Sequence, residues 1–406
     1  MDDVLYWLWL SNTPQVGAKT VAALLSHYET PENVYNAPKG ELERILPRDK
    51  DGAQQLEKRS LETAKRILEK CESTKIDIVT LVDARYPERL RNINLPPAVL
   101  YVKGRLPNID ALPAIAIIGT RKATHYGLKM GMRMGYEIAK CGATVISGLT
   151  RGVDSAAAEG ALYAEGQVIG VLGLPHELDK SSFSHEIALT GALISEYAPG
   201  TKPHSSFFRA RNRITSGLSL GVAVIEAPMR SGTRLFVSEA ADQGKEIFAV
   251  PGNADQPSSE GTNLLIKEGA KPVTNGWDVV SEFAAFYPDK LREVRFKDTG
   301  RLIPMALTQS QNEGSKAAPD EKCTKKVVDK APDAAYIDLK KQLEGLSPSQ
   351  LKIIGAMDES SLHVDTIIER SGFPPAKVLA DLTLLQIKGY VRQETGKRFS
   401  LNINMK

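Results

Sequence analysis

Apolar runs, each broken by a small-residue turn and followed by an amphipathic stretch, organise the middle of the chain. Ala114-Ile115-Ala116-Ile117-Ile118 reads as a buried strand, Gly119-Thr120-Arg121 ends it, and helical spacing follows from about Tyr126 to Cys141. Thr144 to Ile146 is a second short strand, succeeded by the turn Ser147 to Asp154 and an alanine-rich helix. A third unit starts with Gly221 to Ala227 and turns at Ser231-Gly232-Thr233. It then passes through a helix to a further apolar run, Ile247 to Val250, closed by Pro251-Gly252. Short apolar runs without alternation fit strands covered on both faces, and strands alternating with helices predict a mostly parallel sheet. Ile76 to Val82, Ala98 to Lys103, Gly170 to Leu174 and Leu193 to Tyr197 add further strands.

The flanks carry other patterns. Up to about Thr74, Leu5, Leu8, Trp9, Val21, Leu24 and Leu25 recur at helical spacing. Thr13 to Thr20 contains a Pro-x-hydrophobic-Gly turn that resembles a helix-hairpin-helix. The backbone amides of such a turn can grip a DNA phosphate, but a single copy is better read as packing helices or binding protein. Gly17-Ala18-Lys19-Thr20 lacks the glycine directly before lysine, and the preceding strand, that a phosphate-binding P-loop needs. From about Ala284 the apolar pattern fades, and Thr308 to Lys340 is rich in Ser, Lys, Asp, Ala and Pro, as in a flexible linker. Lys325-Lys326 reads there as solvated linker charge.

A small module follows. Ser347 caps a helix with Pro348 at its first position, running through about Met357. His363 to Ser371 and Pro375 to Lys388 give two more helices, and Tyr390 to Leu401 a hairpin around Gly396. Three helices and a hairpin resemble a winged helix. Its recognition helix offers only Lys377 and Lys388 as cations, so protein contact or weak DNA contact is expected rather than sequence reading. The expected divisions are 1–74 (helical), 75–283 (α/β core), 284–343 (linker) and 344–406 (winged-helix-like).

Composition changes this picture little. At 406 residues two or three domains are expected, and 42% hydrophobic with 25% charged residues is ordinary for a soluble globular protein. The net charge of +3 confines any nucleic-acid surface to a local patch. Cys71, Cys141 and Cys323 are isolated and odd in number, which suits a reducing compartment. With no run near the roughly 20 apolar residues of a membrane span and no basic start of a secretory signal, a cytoplasmic protein is expected.

The chemistry concentrates at the turns. Small residues let a backbone approach a ligand, helix N-termini favour anions, and arginine adds a planar set of donors. Three such turns in one domain suggest a surface for a long anion rather than one cofactor pocket. At these residues the chain resembles the DNA-processing protein A family, also called Smf. The resemblance rests on Gly119-Thr120-Arg121 and on Ser147 to Asp154, then Ser195 to Gly200, Arg211 to Ser219, Glu226 to Gly232 and Pro251 to Ala270. It spans roughly Leu81 to Phe283. The resemblance implies a Rossmann-like core that dimerises and a non-enzymatic role in natural transformation. That role is binding incoming single-stranded DNA and helping to load the RecA recombinase.

Two departures stand out. Ser155-Ala156-Ala157-Ala158 lacks the histidine that follows the family's aspartate, and the loop from Leu174 to Glu186 lacks its Tyr-Pro and Asn. In that loop Lys180 and Phe183 offer a phosphate contact and a base-stacking face, with an ordinary surface loop the even alternative.

Arg121 is the leading DNA contact, against the alternative of a salt bridge to Asp154. Of Arg211 and Arg213, one is expected to meet phosphate and the other to anchor the fold, since residues two apart diverge in regular structure. Asn212 either bonds a base edge or caps the next helix. Gly119, Thr120, Ser147, Gly148, Ser231, Gly232 and Thr233 are expected to supply backbone and hydroxyl donors, or else only turn geometry. Asp154 is expected to orient an arginine or cap its helix.

Enzymatic readings fit less well. There is no HExxH or CxxC pair, the six histidines are scattered, Ser147 lacks the G-x-S-x-G elbow of hydrolases, and no full G-x-G-x-x-G follows a strand. No metal, cofactor or catalytic residue is therefore expected. A nucleotide phosphoribohydrolase of the lysine-decarboxylase-like fold is the rival enzyme. It needs a compact PGGxGTxxE segment, whereas Glu239 stands six residues beyond Thr233 with no preceding Pro-Gly-Gly. The other alternative is a protein-binding adaptor that works through the terminal domains.

Overall fold

The computed structural model describes residues 2–294 and, further on, 350, 353–354, 357, 362–387, 390–394 and 398–401. The chain divides into two units, 1–316 and 317–406.

Aliphatic runs become strands in the first unit. β1 (Asp77–Thr80), β2 (Val99–Gly104), β3 (Ala114–Ile118), β4 (Thr144–Ser147), β5 (Val168–Leu172), β6 (Ala192–Ser195), β7 (Gly221–Val224), β8 (Glu246–Ala249) and β9 (Lys271–Pro272) form one sheet. Their order is β1-β2-β6-β5-β4-β3-β7-β8-β9. β1 and β2 pair antiparallel, as do β2 and β6, and every other pairing is parallel. Both faces are covered, so all five residues of β3 are buried, as its unbroken apolar sequence requires. No apolar run announces β9, whose two residues are exposed and polar or proline.

From β3 the chain builds outward through β4, β5 and β6, then returns to lay β7 on the other side of β3. That reversal opens a crevice at the carboxyl ends of the central strands, where doubly wound sheets bind ligands.

Helices His125–Lys140 and Val153–Tyr163 cover one face at very close range. A Cβ on Gly135 would lie 2.0 Å from the Ala157 carbonyl oxygen, and one on Gly160 would lie 1.9 Å from that of Met132. Fully buried Glu137 accepts from Arg133 Nε (2.7 Å) and from the Gly276 amide (2.8 Å), tying the helix Gly276–Val280 to this layer.

The N-terminal helices are not a separate body. Trp7, Leu8, Leu24 and Leu56 share one apolar cluster with Val99 and Tyr101 of β2, and Asn12 Nδ2 donates to the Tyr101 hydroxyl at 2.9 Å. The first residues of the expected linker, from 284, belong to the packed core. Leu291 is buried beside Cys141, and the Arg292 amide donates to the Cys141 carbonyl at 3.1 Å. Most of the expected linker, including Lys325-Lys326, lies outside the described residues.

Helix Val153–Tyr163 carries a titrating group whose effect on stability has a definite sign. Burial, helped by the charge of Glu186, raises the Glu159 carboxyl to about 7. An unfolded glutamate loses its proton near pH 4.3, at about its ordinary value. Between those two pH values the folded chain keeps a proton the unfolded chain has lost, so stability falls as pH rises. Glu159→Gln, uncharged throughout, should melt above the wild type at pH 8 and lose that advantage at pH 4. Coincident melting curves at both pH values would count against this account.

In the second unit β10 (Leu362–His363), β11 (Val391–Glu394) and β12 (Arg398–Leu401) form a sheet of order β10-β12-β11. Helices Val364–Ser371 and Pro375–Ile387 pack on it through Ile367, Val378, Leu382 and Leu385, with Val391 and Phe399 from the strands. The two helices and the hairpin stand where the apolar pattern puts them. Ser347, Pro348, Lys388 and Gly396 lie outside the described residues.

Candidate nucleic-acid interface

Each central strand ends at the same edge of the sheet and hands over to a small-residue turn. After β3, Gly119 packs on Val153, leaving under 3 Å where a side chain would begin. Buried Thr120 donates its amide to the Glu226 carbonyl at 2.8 Å and accepts from the Lys122 amide at 3.2 Å. Glu226, itself buried, also takes the Thr124 amide (2.8 Å) and hydroxyl (2.7 Å). This carboxylate fastens the end of β7 to the turn after β3, so it serves the fold from inside.

Thus supported, Arg121 projects into solvent. Its guanidinium carbon lies 5.3 Å from the centroid of the half-buried Phe208 ring, a cation–π arrangement. Phe208 rests on Gly173, just past β5. Among the described residues Arg121 has no carboxylate within ion-pair distance, so the salt bridge to Asp154 is not made. Asp154 instead accepts from Thr150 Oγ1 at 2.8 Å and from the Gly119 amide. Burial raises its carboxyl, against the opposing charge of Arg211, and the same burial lowers Arg211.

Several expected contacts turn inward. Ser147 is fully buried, donates to the Asp154 carbonyl at 2.9 Å and accepts from the Leu149 amide at 3.1 Å. Gly148 is small because the Arg211 guanidinium lies directly on it, not to admit a ligand. The division of labour expected of Arg211 and Arg213 does not occur, since both are buried. Arg211 donates to the Gly148 carbonyl at 2.6 Å and to that of Val171, gathering the ends of β4 and β5. Arg213 forms a two-pronged ion pair with Glu196, at 3.0 and 2.5 Å. They follow one another through two short helices, Ser206–Ala210 and Asn212–Leu218, rather than a strand or a single regular helix. Two-residue alternation therefore never applied. Half-buried Asn212 opens the second helix, which has no side-chain cap bond.

The remaining turns divide. Gly232 is exposed with open space around its Cα, while Thr233 is buried. Ser231 precedes the helix Gly232–Asp242, its hydroxyl buried with no hydrogen-bond partner. Lys180 is exposed, and half-buried Phe183 packs against an apolar cluster of the core. The cations facing solvent around these turns are Arg121, Lys122, Arg151, Lys180, Arg209 and Arg230. Phe208 was not singled out from the sequence, although two adjacent phenylalanines separated by two residues from an Arg-Asn-Arg element were a legible signal.

Fold and edge define a doubly wound α/β protein whose central crevice is lined by exposed cations and a half-buried aromatic ring. Residues 77–284 match the DNA recombination-mediator protein A family, and residues 338–397 match the DprA winged helix domain. Protein Smf of Synechocystis sp. is 30% identical over 97% of this chain and 98% of its own. The DNA processing protein DprA of Bacillus subtilis is 35% identical over 53% of this chain and 74% of its own. The X-ray structure of DprA from Streptococcus pneumoniae superimposes with a TM-score of 0.59 at 30% identity, covering 70% of this chain and 98% of that one. The chain belongs to the DNA recombination-mediator protein A family. Among its described residues no helix is long and apolar enough to cross a membrane.

Proposed function

We propose that the chain processes DNA by binding single strands along the carboxyl edge of its central strands, without cleaving or modifying them. The observation that carries this reading is the exposed Arg121 guanidinium laid over Phe208 at the switch point. A phosphate diester suits the arginine, and an unpaired base suits the ring. Exposed Gly232 and its helix N-terminus extend the anion-binding path on one side, and Arg151, Lys180 and Arg209 on the other. Burial argues against direct contact by Ser147, Gly148, Arg211 and Arg213, whose part is to hold the turns in place. Family membership supports a place in natural transformation, with a homodimer in the cytoplasm that shields incoming strands and helps load the RecA recombinase. Double-stranded DNA is a secondary ligand through the terminal domains.

The test is fluorescence anisotropy of labelled oligo-dT and a matched duplex across a salt series. Affinity for the single strand should exceed that for the duplex, and its logarithm should fall linearly with the logarithm of salt concentration. Absence of single-strand binding at low salt would overturn the proposal.

A further inference from the structure

The loop leaving β6 carries a second group of rings, separate from the Arg121–Phe208 pair. Tyr197 and Phe207 lie face to face, with centroids 3.8 Å apart and planes inclined by 13°. The His204 ring is 6.0 Å from Phe207 at 59°. Tyr197 and Phe207 are half-buried, whereas His204 is exposed.

His204 is nonetheless held in place. Its Nδ1 accepts from the Ser206 amide at 3.3 Å and meets the Ser206 hydroxyl at 2.7 Å. An amide can only donate, so Nδ1 is unprotonated and the ring proton sits on Nε2, away from the anchoring bonds. An exposed side chain contributes little to a core, so two bonds fixing its orientation preorganise a surface rather than stabilise the interior. The acid beside the rings, Glu196, is neutralised by Arg213, while Lys202 and Arg209 are exposed on the same loop and helix. The strip thus combines aromatic faces, an outward N–H donor and positive charge.

We propose that His204, Phe207 and Tyr197 form a second subsite that takes an unpaired nucleobase. The base stacks on the strip and accepts a hydrogen bond from His204 Nε2. This deepens the single-strand reading above and rests on it. The subsite favours single strands because bases in a duplex are already stacked on one another, so their faces are not available.

The test uses the full chain and oligo-dT with a single 2-aminopurine placed at successive positions. Anisotropy reports binding, and quenching of 2-aminopurine reports stacking. Wild type should quench at positions whose signal is lost in Phe207→Leu and reduced in His204→Ala. Affinity should fall roughly tenfold in Phe207→Leu with an unchanged salt slope. Phe207→Tyr should retain both signals. Because His204 is exposed, its variant should fold normally, and circular dichroism checks both. Salt-dependent binding with quenching identical in wild type, His204→Ala and Phe207→Leu would overturn the subsite and leave the single-strand reading standing. No binding by the wild type would overturn that reading itself.

Discussion

Gly160→Ala is expected to destabilise the first unit by roughly 3 kcal/mol, although the substitution favours helix by about 1 kcal/mol. The two effects have opposite signs, so the experiment decides between them. The added methyl would sit 1.9 Å from the Met132 carbonyl oxygen and 2.8 Å from its carbon. Those are backbone atoms in the middle of His125–Lys140, with no flexible side chain to swing aside. Relief requires the two helices to separate, which loosens the layer that supports the turns after β3 and β4. Against a total stability of about 5–15 kcal/mol that is a large fraction. Gly135→Ala should behave alike, because its methyl would meet the Ala157 carbonyl at 2.0 Å. Urea titration of both variants measures the loss. Midpoints at or above the wild-type value would mean the helices have room and the packing account is wrong.

Arg121→Ala is expected to weaken oligo-dT binding by about one to two orders of magnitude at low salt, and to reduce the salt slope by about 0.7. The slope separates two explanations. Loss of a phosphate contact releases fewer counterions and flattens the dependence, whereas distortion of the edge lowers affinity without a defined change in slope. Stability should hardly move, since Arg121 is exposed and its described contact is the Phe208 ring. Arg121→Lys should restore part of the slope but not full affinity, because a compact ammonium replaces a planar group that stacks on the ring. An unchanged affinity and slope in Arg121→Ala would move the phosphate contacts elsewhere on the edge, toward Arg151, Arg209 or Arg230.

How far the sequence reached differs between elements. Continuous apolar runs such as Ala114 to Ile118 identified strands because a sheet covered on both faces leaves no polar position. The turns after β3, β4 and β7 were equally legible, since a sharp handover from strand to helix selects glycine, serine and threonine. Arg121 was legible for the same reason, as an arginine directly after such a turn stands at the sheet edge. The winged-helix elements followed from helical spacing and the hairpin pattern.

Which polar side chains look outward was decided only in three dimensions. Arg121, Arg211 and Arg213 read alike as cations beside turns, yet one is exposed and two are buried. Ser147 and Ser231 read alike as hydroxyls at turns, yet one bonds the Asp154 carbonyl and the other has no partner. Strand order brought the ends of β4 and β5 together, leaving their carbonyls for Arg211 to satisfy. It likewise set Phe208 beneath Arg121, residues far apart in the chain. Local spacing carries the periodicity of strands and helices and the conformational demands of turns, and so determined the elements and the edge at which they meet. The partner of a charged or aromatic side chain depends on contacts distant in sequence, and only the assembled sheet fixes those.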